Sequence, residues 1–376
     1  MNVLLLLRDL AYHGGVPQSF LTLAQFRDPA RLRMQVGAFR ECQPEMVEAL
    51  GNFGTPVHHL SGRGCLRPAL AVRSLLREQH IDAVVCASFK SYLTAKLATC
   101  ARKQRCLFWI ASVPEVIAGP VRRAIYRTLA RQDALIFISQ AVRKAHAYPQ
   151  HRGLEQVVYY GITDPYEHRE HEPYPRQARM EILGLPPTAF VLGFIAEFIA
   201  WKDHPTLISA FAKVADAFPE AVLLLIGTGA QRGELEALAR NLACHDRIHF
   251  LGPRPDARRL LGLLDAYVHP SRGEGFGLAV VEAMLAGVPV IVSNEGAFPE
   301  YVKDHHTGLV VGGGDTDGLA RALRELMTQP ELARQLAAAG RVHCLKHFSP
   351  VRFASEMTAV LERVIAVRPP HHDPQT

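Results

Sequence analysis

The sequence has no apolar run that approaches the ~20 residues a helix needs to cross a bilayer. Its apolar start, Met1 to Leu7, ends at Arg8 and Asp9, and no small-residue cleavage site follows. This pattern predicts a buried first strand rather than a signal peptide, and we expect a cytoplasmic chain.

Paired cysteines are also missing: the seven cysteines are scattered, odd in number and include no C-x-x-C pair. This spacing argues against a disulfide framework and against a zinc site. We therefore expect free thiols in a reducing compartment.

No helix-turn-helix, RNA-recognition or zinc-finger pattern accompanies the basic residues, so nucleic acid ranks last among the expected partners. The net charge of +6 is unevenly spread. Residues 1–165 hold 21 Lys and Arg against 11 Asp and Glu, whereas the remainder holds 21 against 25. A basic half favours acidic substrates or an anionic membrane surface as partners.

What the sequence does contain is a regular alternation of short apolar strands and helices over 376 residues, a length typical of two domains. The alternation predicts an α/β fold with parallel sheets that bind ligands at the carboxyl ends of their strands. A polar, proline-rich segment at 166–178 predicts a linker between domains at 1–165 and 179–347. A last amphipathic helix is predicted at 348–367, and a disordered tail at 368–376.

The most informative stretch of the chain runs from Tyr267 to Glu300. It predicts a strand end at Tyr267–His269, a tight loop at Ser271–Gly277, a helix at Leu278–Ala286 and a buried strand at Val288–Val292. The order is strand, glycine-rich loop, helix, strand.

The loop glycines Gly273, Gly275 and Gly277 allow the backbone to approach a ligand closely and to adopt positive φ. The next helix begins with unpaired N–H groups and a partial positive charge. The loop therefore favours an anion such as phosphate, although an ordinary crossover with a glycine-rich turn has the same order of elements.

Two carboxylates accompany the loop: Glu274 lies within it, and Glu282 lies about one turn inside the helix. A carboxylate 4 Å from a phosphate is repelled by about 1 to 4 kcal/mol, depending on the local dielectric. Both glutamates are therefore expected to face hydroxyls. A nucleotide sugar carries phosphate and vicinal hydroxyls at opposite ends of one short site, and it is the ligand that this pattern predicts.

The sequence SRGEGFGLAVVEAMLAGVPVI resembles the E-x7-E signature of retaining glycosyltransferases with the GT-B fold, especially glycosyltransferase family 4. The resemblance implies two Rossmann-like domains facing across a cleft, acceptor-binding first and nucleotide-sugar-binding second, with the C-terminal helix crossing back. It implies that Glu282 holds the ribose hydroxyls and that catalytic Glu274 holds the donor sugar. It further implies that the backbone of four residues lies against the sugar and the diphosphate of the donor: Gly275, Phe276, Gly277 and Leu278.

Outside this stretch, Gly14 and Gly15 resemble a Gly-Gly loop whose backbone reaches the donor diphosphate in the family. As a pattern alone, they are equally consistent with a simple turn. Leu251, Gly252 and Arg254 lie where the family receives the nucleobase, and they are our predicted base pocket.

Lys202 resembles a family lysine that clamps the diphosphate, and we predict that it binds the donor and stabilises the leaving group, although an exposed loop lysine would give the same pattern. Two positions depart from the family. Glu197 replaces an arginine of the clamp and must turn aside, be neutralised or contact a sugar hydroxyl. Arg272 or Arg8 would supply compensating charge, although a surface arginine at either position has the same pattern. Ala111 stands where relatives have a histidine that contacts the donor sugar.

The segment Asp315-Thr316-Asp317 matches the Asp-x-Asp metal motif of the other large glycosyltransferase fold. It lies between a predicted strand and a predicted helix, so Thr316 or Asp317 is predicted as a helix N-cap, and no metal ligand is expected.

The helix predicted at 119–132 carries Arg122, Arg123, Arg127 and Arg131 opposite an apolar side. Such a helix is typical of contact with an anionic membrane surface. A helix packed on the core with a solvated cationic face has the same pattern.

The resemblance implies transfer of a sugar from a UDP- or GDP-linked donor to a hydroxyl acceptor, with retention and without a cofactor or metal. The leaving diphosphate itself would take the acceptor proton. A saccharide or lipid-linked precursor of a bacterial envelope is the implied acceptor. Two alternatives stay open: a nucleotide-sugar-binding protein with little or no transfer activity, and an epimerase or phosphorylase of the same fold.

Overall fold

The computed structural model describes residues 1–10, 15–60, 62, 64–100, 105–111, 120–131, 133–146, 150–164, 166 and 173–366, without the side chains of 120–123 and 126. These residues form two compact units, one from residues up to Thr163 together with those from Phe348 onward, and one from Asp164–His347. Residues 167–172 of the predicted linker and the whole predicted tail lie outside the described residues.

The strands of the first unit are β1 (Asn2–Leu7), β2 (Arg33–Ala38), β3 (Val57–His59), β4 (Ala83–Cys86), β5 (Arg105–Ile110), β6 (Ala134–Phe137) and β7 (Glu155–Val157). They pair in parallel in the order β3-β2-β1-β4-β5-β6-β7. The helices between them are α1 (Gly15–Phe26), α2 (Pro44–Asn52), α3 (Leu66–Glu78), α4 (Phe89–Thr99), α5 (Pro120–Leu129) and α6 (Gln140–Ala145).

The central strands of this sheet are apolar along their length, and β1 and β4 are almost fully buried. Such runs are expected in a parallel sheet that helices cover on both faces. The sequence did not predict β3 and β7, which are the two edge strands and have only three residues each. Both are half-buried and partly polar, so they lack the continuous apolar signal of the central strands.

The strands of the second unit are β8 (Phe190–Ile195), β9 (Ala221–Ile226), β10 (Ile248–Gly252), β11 (Ala266–His269), β12 (Val290–Ser293) and β13 (Leu309–Val311), paired in parallel in the order β10-β9-β8-β11-β12-β13. Its helices are α7 (Arg179–Leu183), α8 (His204–Ala215), α9 (Arg232–Arg240), α10 (Ala257–Leu260), α11 (Leu278–Leu285), α12 (Phe298–Tyr301), α13 (Thr316–Thr328) and α14 (Pro330–His347).

The strand order of the second sheet reverses between β8 and β11. The chain builds outward from β8 through β9 to β10 and then returns, so that β11 pairs directly with β8. In a doubly wound sheet, the crevice at the carboxyl ends of the strands on either side of such a reversal is the usual ligand site.

The last helix, α15 (Pro350–Ala366), belongs to the first unit although the second unit precedes it in sequence. The Phe353 ring lies 5.8 Å from the Trp109 ring at the end of β5, and Arg31 forms a 2.8 Å ion pair with Glu362. The predicted return of the C-terminal helix to the first domain is therefore confirmed.

The N-cap predicted at Thr316 or Asp317 is wrong by one or two positions. Asp315 caps α13, because its side chain accepts a 2.8 Å hydrogen bond from the Gly318 amide, the bond an N-cap makes to the third residue of a helix. Asp317 lies inside the first turn and forms an exposed ion pair with Lys213 of α8. Within the part of the chain that the structure describes, no helix is both long enough and apolar enough to span a membrane.

Candidate functional site

The predicted loop follows β11 at the point where the strand order reverses. His269 ends β11, and the neighbouring strand β8 runs on into Glu197. The loop from 270 to 277 then leads directly into α11, whose first amides have no partner within the helix. The site therefore combines the crevice of the sheet with the start of a helix.

Two glycines make the path of this loop possible. Gly277 is the N-cap of α11 with φ of 84°, and a Cβ there would lie 2.5 Å from the Phe298 ring. At Gly296 a Cβ would collide with the carbonyl oxygen of Glu274, which accepts a 3.0 Å hydrogen bond from the Ala297 amide. Close packing at Gly277 and at Gly296 therefore fixes the path of the backbone that carries Glu274.

Replacing Gly277 by alanine is expected to destabilise the folded protein by about 1 to 3 kcal/mol, from overpacking and left-handed backbone strain together. Gly287 is a matched control, since its φ is 73° but a Cβ there meets no atom within 4 Å. Urea unfolding of Gly277→Ala and Gly287→Ala separates the two contributions. Equal destabilisation by both variants would contradict a requirement for close packing at Gly277.

Glu274 and Lys202 are in direct contact in the crevice. Their Oε2 and Nζ atoms are 2.5 Å apart, and each side chain is 13% exposed. Lys202 ends a 3-10 turn, Ala200–Lys202, and its ammonium lies 4.3 Å from the centre of the Trp201 ring. The sequence placed these two charges in one site across 72 residues, and the structure brings them together.

The turn that carries Lys202 is tied to the Glu274 loop at a second point. The Arg272 amide donates a 2.7 Å hydrogen bond to the Trp201 carbonyl, and the Arg272 side chain forms a 2.8 Å ion pair with Asp203. Asp203 has a positive φ of 55° and precedes α8. Arg272 therefore balances Asp203, and not the charge lost from the clamp at Glu197.

His269 supplies a second partner for the Glu274 carboxylate, with Nε2 3.4 Å from Oε2. Burial alone would raise the pKa of Glu274, but the hydrogen bond to His269 and the charge of Lys202 outweigh it and lower the pKa to about 2. Burial lowers the pKa of His269 to about 4, against the opposing effect of Glu274. Near neutral pH, Glu274 is therefore an anion, and His269 is neutral.

Glu282 forms a separate ion pair, with Arg258. Its Oε1 lies 2.8 Å from Nε of Arg258 in α10, and the Glu282 side chain is 14% exposed. Burial raises the pKa of Glu282 while Arg258 opposes the rise. The Tyr166 hydroxyl contacts the carbonyl oxygens of Arg258 and Glu282 at 3.1 and 3.4 Å, which fixes the two residues that make the pair.

The other predicted site residues of the second unit differ in their burial and in their hydrogen-bond partners. Glu197 is exposed just after β8, so it does turn aside from the buried pair. In the predicted base pocket, Gly252 has φ of 71° and accepts a 2.9 Å hydrogen bond from the Gly227 amide. Arg254 forms two 2.7 Å hydrogen bonds with Asp256. Leu251, beside them, is half-buried.

In the first unit, Gly15 begins α1, whereas Gly14 lies outside the described residues. Ala111 is half-buried just after β5. Arg8 is exposed and pairs with Asp9. Arg8 is therefore engaged locally by its sequence neighbour.

Sequence reasoning missed two residues that contact the predicted glutamates, His269 and Arg258. A histidine directly before Pro270 at a strand end carries a weak signal, since strand ends bear many polar residues without a ligand. Arg258 lies in a stretch with several arginines, and no local pattern distinguishes it from its neighbours. Only the tertiary contacts select these two side chains.

Known proteins resemble this chain in part of its sequence and in its fold. Residues 175–343 match the family model described as Glycosyl transferases group 1. The chain is 30% identical over 252 residues to a GDP-mannose-dependent monoacylated alpha-(1-6)-phosphatidylinositol monomannoside mannosyltransferase of Corynebacterium glutamicum, covering 64% of this chain and 65% of that protein. It is 31% identical over 182 residues to the N-acetyl-alpha-D-glucosaminyl L-malate synthase of Bacillus anthracis, covering 48% of each. The chain thus spans less than two thirds of the length of each of these curated relatives.

Solved structures resemble the chain over nearly its whole length. Anabaena HepE in complex with UDP matches with a TM-score of 0.82 and 22% identity, covering 96% of this chain and 100% of that chain. WaaG, a glycosyltransferase involved in lipopolysaccharide biosynthesis, matches with a TM-score of 0.72 and 19% identity, covering 95% and 99%. The predicted GT-B fold is confirmed, and residues 175–343 of the chain are similar in sequence to the group 1 glycosyl transferases.

Proposed function

We propose that this protein is a retaining glycosyltransferase that moves a sugar from a nucleoside diphosphate sugar to a hydroxyl acceptor. The observation that carries the proposal is the buried contact of Lys202 with Glu274, beside the start of α11 at the reversal of the second sheet. This arrangement offers a cation and helix amides to a diphosphate, and carboxylates to sugar hydroxyls.

The ionisation state of Glu274 supports a binding role for it. A carboxyl group with a pKa of about 2 stays ionised near neutral pH, so it accepts hydrogen bonds from hydroxyls and does not act as a general acid. We assign it to the donor sugar, and we assign Glu282, oriented by Arg258, to the ribose. Lys202 and the first amides of α11 would stabilise the charge that develops on the leaving diphosphate, without a metal cofactor.

In this proposal the reaction proceeds on one face of the sugar. The bond from the anomeric carbon to the diphosphate breaks, the acceptor oxygen bonds to that carbon, and the acceptor proton passes to the diphosphate. We place Gly14, Gly15, Leu251, Gly252 and Arg254 among the donor-binding residues on the family resemblance. UDP and GDP donors are both candidates, since one relative is named as GDP-mannose-dependent and one similar structure holds UDP.

A thermal-shift panel of UDP and GDP sugars, followed by assays of nucleotide release with and without acceptor, tests the proposal. A donor present at 100 times its dissociation constant stabilises the folded state by about 2.7 kcal/mol. We expect stabilisation by at least one donor, and release that depends on an acceptor such as a lipid-linked envelope saccharide. No stabilisation by any donor would overturn the proposed function.

A second candidate function is a nucleotide-sugar-binding protein with little or no transfer activity. The observations that favour it are Ala111, where the family has a histidine, and the exposed Glu197 in place of a clamp arginine. Donor binding without acceptor-dependent release would favour this candidate. Interconversion of the free donor sugars, or phosphate-dependent cleavage of a saccharide, would instead indicate the epimerase or phosphorylase alternative.

We further propose that the protein works in the cytoplasm and touches the inner face of the membrane through α5. The side chains of Arg127 and Ile125 in α5 are exposed, Ile125 at 39%, and so is that of Arg131, two residues after the end of α5. In flotation with anionic liposomes at low salt, we expect binding that Arg127→Glu together with Arg131→Glu reduces. The control is the same arginine-to-glutamate change at the exposed Arg334 in α14. Equal flotation of all variants would show that α5 is not the membrane contact.

A further inference from the structure

His269 lies in a buried chain of three hydrogen-bond contacts, which has too few hydrogens to satisfy all three if the imidazole ring is neutral. The Tyr267 hydroxyl lies 3.2 Å from the Ile195 carbonyl and 3.0 Å from Nδ1 of His269. On the other side of the ring, Nε2 lies 3.4 Å from Oε2 of Glu274. The chain therefore links the backbone of β8 to the carboxylate of the candidate site.

A hydrogen count separates the protonation states of this chain. The hydroxyl has one hydrogen and a neutral imidazole has one N–H, which leaves one of the three contacts without a hydrogen. If the N–H is on Nδ1, the lone pair of Nε2 faces the Glu274 carboxylate; if it is on Nε2, the Tyr267 hydroxyl must choose between Ile195 and Nδ1. An imidazolium satisfies all three contacts at once.

The surroundings keep the ring neutral in the unliganded protein. The His269 ring packs edge-on against Phe194 and Phe298, at 4.9 and 5.2 Å between ring centres. The charged or titratable groups that face it are Glu274 on the loop, Lys202 on the preceding turn, Tyr267 on its own strand and His204 on α8. Of these, Glu274 favours the charged ring, whereas Lys202 opposes it and already balances the carboxylate.

We propose that His269 is a positioning residue for Glu274 that takes up one proton from solvent when Lys202 turns from Glu274 to the diphosphate of a donor. The proton completes the three hydrogen bonds, and the imidazolium replaces the ammonium as the cation beside the carboxylate. Glu274 then keeps the position in which it accepts hydrogen bonds from the sugar hydroxyls, while Lys202 binds the phosphates. This inference rests on the proposed function, because it needs a diphosphate ligand in the crevice.

The direction of the pH dependence follows from the free and bound states. The pKa of His269 is about 4 in the unliganded protein and is higher when the donor is bound. Donor affinity is therefore fully strengthened below the free-state pKa, and it declines as the pH rises through the bound-state pKa. Affinity that is independent of pH over this window in the wild type would contradict the proposal.

A first experiment tests the exchange of cations without any donor. The imidazole nitrogens of the ligand-free protein are followed by NMR during a pH titration, and the His269 signal is assigned by its loss in His269→Gln. We expect Lys202→Met to move the titration of His269 from about 4 toward neutrality, and the control Lys213→Met on the outer face of α8 to leave it unchanged. An unchanged His269 titration in Lys202→Met overturns the inference.

A second experiment uses wild-type protein and does not depend on the folding of Lys202→Met. Calorimetric binding of UDP and GDP at about pH 6, in buffers of different ionisation enthalpy, gives the number of protons taken up. We expect the wild type to take up more protons than His269→Gln, with a difference approaching one proton for each nucleotide bound.

The wild type is compared with His269→Gln because the terminal phosphate of the nucleotide also titrates near the pH of this experiment. Binding with equal proton uptake by the wild type and His269→Gln overturns the inference and leaves the proposed function intact. No binding of either nucleotide counts against the proposed function and overturns the inference with it.

Discussion

Replacing Lys202 by methionine is expected to lower the rate of sugar transfer by about 10²- to 10³-fold, the effect of removing one preorganised donor from a developing anion. Donor binding is expected to weaken by about 1.5 to 3 kcal/mol, as for a hydrogen bond to a charged group. Lys202 is 13% exposed and within 2.5 Å of Glu274, so the charge is removed from a largely dehydrated site.

Lys213→Met is the matched control for this change. Lys213 lies on α8, eleven positions further along the chain, and its 2.5 Å ion pair with Asp317 is exposed on both sides. An ion pair that is exposed in this way contributes little to stability, so donor binding and transfer should remain near wild type. The measurements are the dissociation constant for the donor and the initial rate of transfer. A wild-type dissociation constant in Lys202→Met would remove Lys202 from the site.

Replacing Arg179 by alanine is expected to destabilise the folded chain by about 3 kcal/mol or more, the effect of breaking a buried ion pair from one side. Arg179 is 0% exposed and donates to Asp265 at 2.7 Å and to the Leu263 and Ala189 carbonyls at 2.8 and 2.6 Å. Its loss leaves two buried carbonyls without donors. For a unit of this size we expect the unfolding temperature to fall by about 6 to 12 °C.

Arg176→Ala tests whether burial, rather than charge alone, causes this effect. Arg176 forms a 2.7 Å ion pair with the same carboxylate, Asp265, but its side chain is 55% exposed. We expect a loss of about 1 kcal/mol or less from Arg176→Ala. Calorimetric unfolding of the full chain compares the two variants. Similar destabilisation by Arg176→Ala and Arg179→Ala would show that the carbonyl contacts of Arg179 contribute little.

The predicted elements around the site agree with the structure because their signals are local. The sequence predicted a helix from Leu278 to Ala286, and α11 ends one residue earlier. Gly277 adopts the left-handed conformation that glycine permits, and β11 is buried along its whole length. Periodicity and glycine placement depend on neighbours within a few residues, so they are readable without the fold.

The partners of the site residues could not be predicted in this way. Arg258 reaches Glu282 across 24 residues, and the Lys202 turn reaches Arg272 through a backbone hydrogen bond. Neither contact follows from a periodic sequence pattern, because each depends on how two segments that are distant in sequence lie in the fold. The same holds for the N-cap, where the turn geometry selected Asp315 rather than Thr316 or Asp317.

The sequence by itself determined the α/β alternation and the glycine loop before α11, and it predicted Glu274, Glu282 and Lys202 as residues of one candidate site. Only the tertiary structure decided how these charges are balanced: Lys202 and His269 at Glu274, and Arg258 at Glu282. The physical reason is the distance along the chain over which each property is set. Backbone conformation follows from adjacent residues, whereas the ionisation of a buried carboxylate is set by burial and by the charges that distant segments bring within a few ångströms.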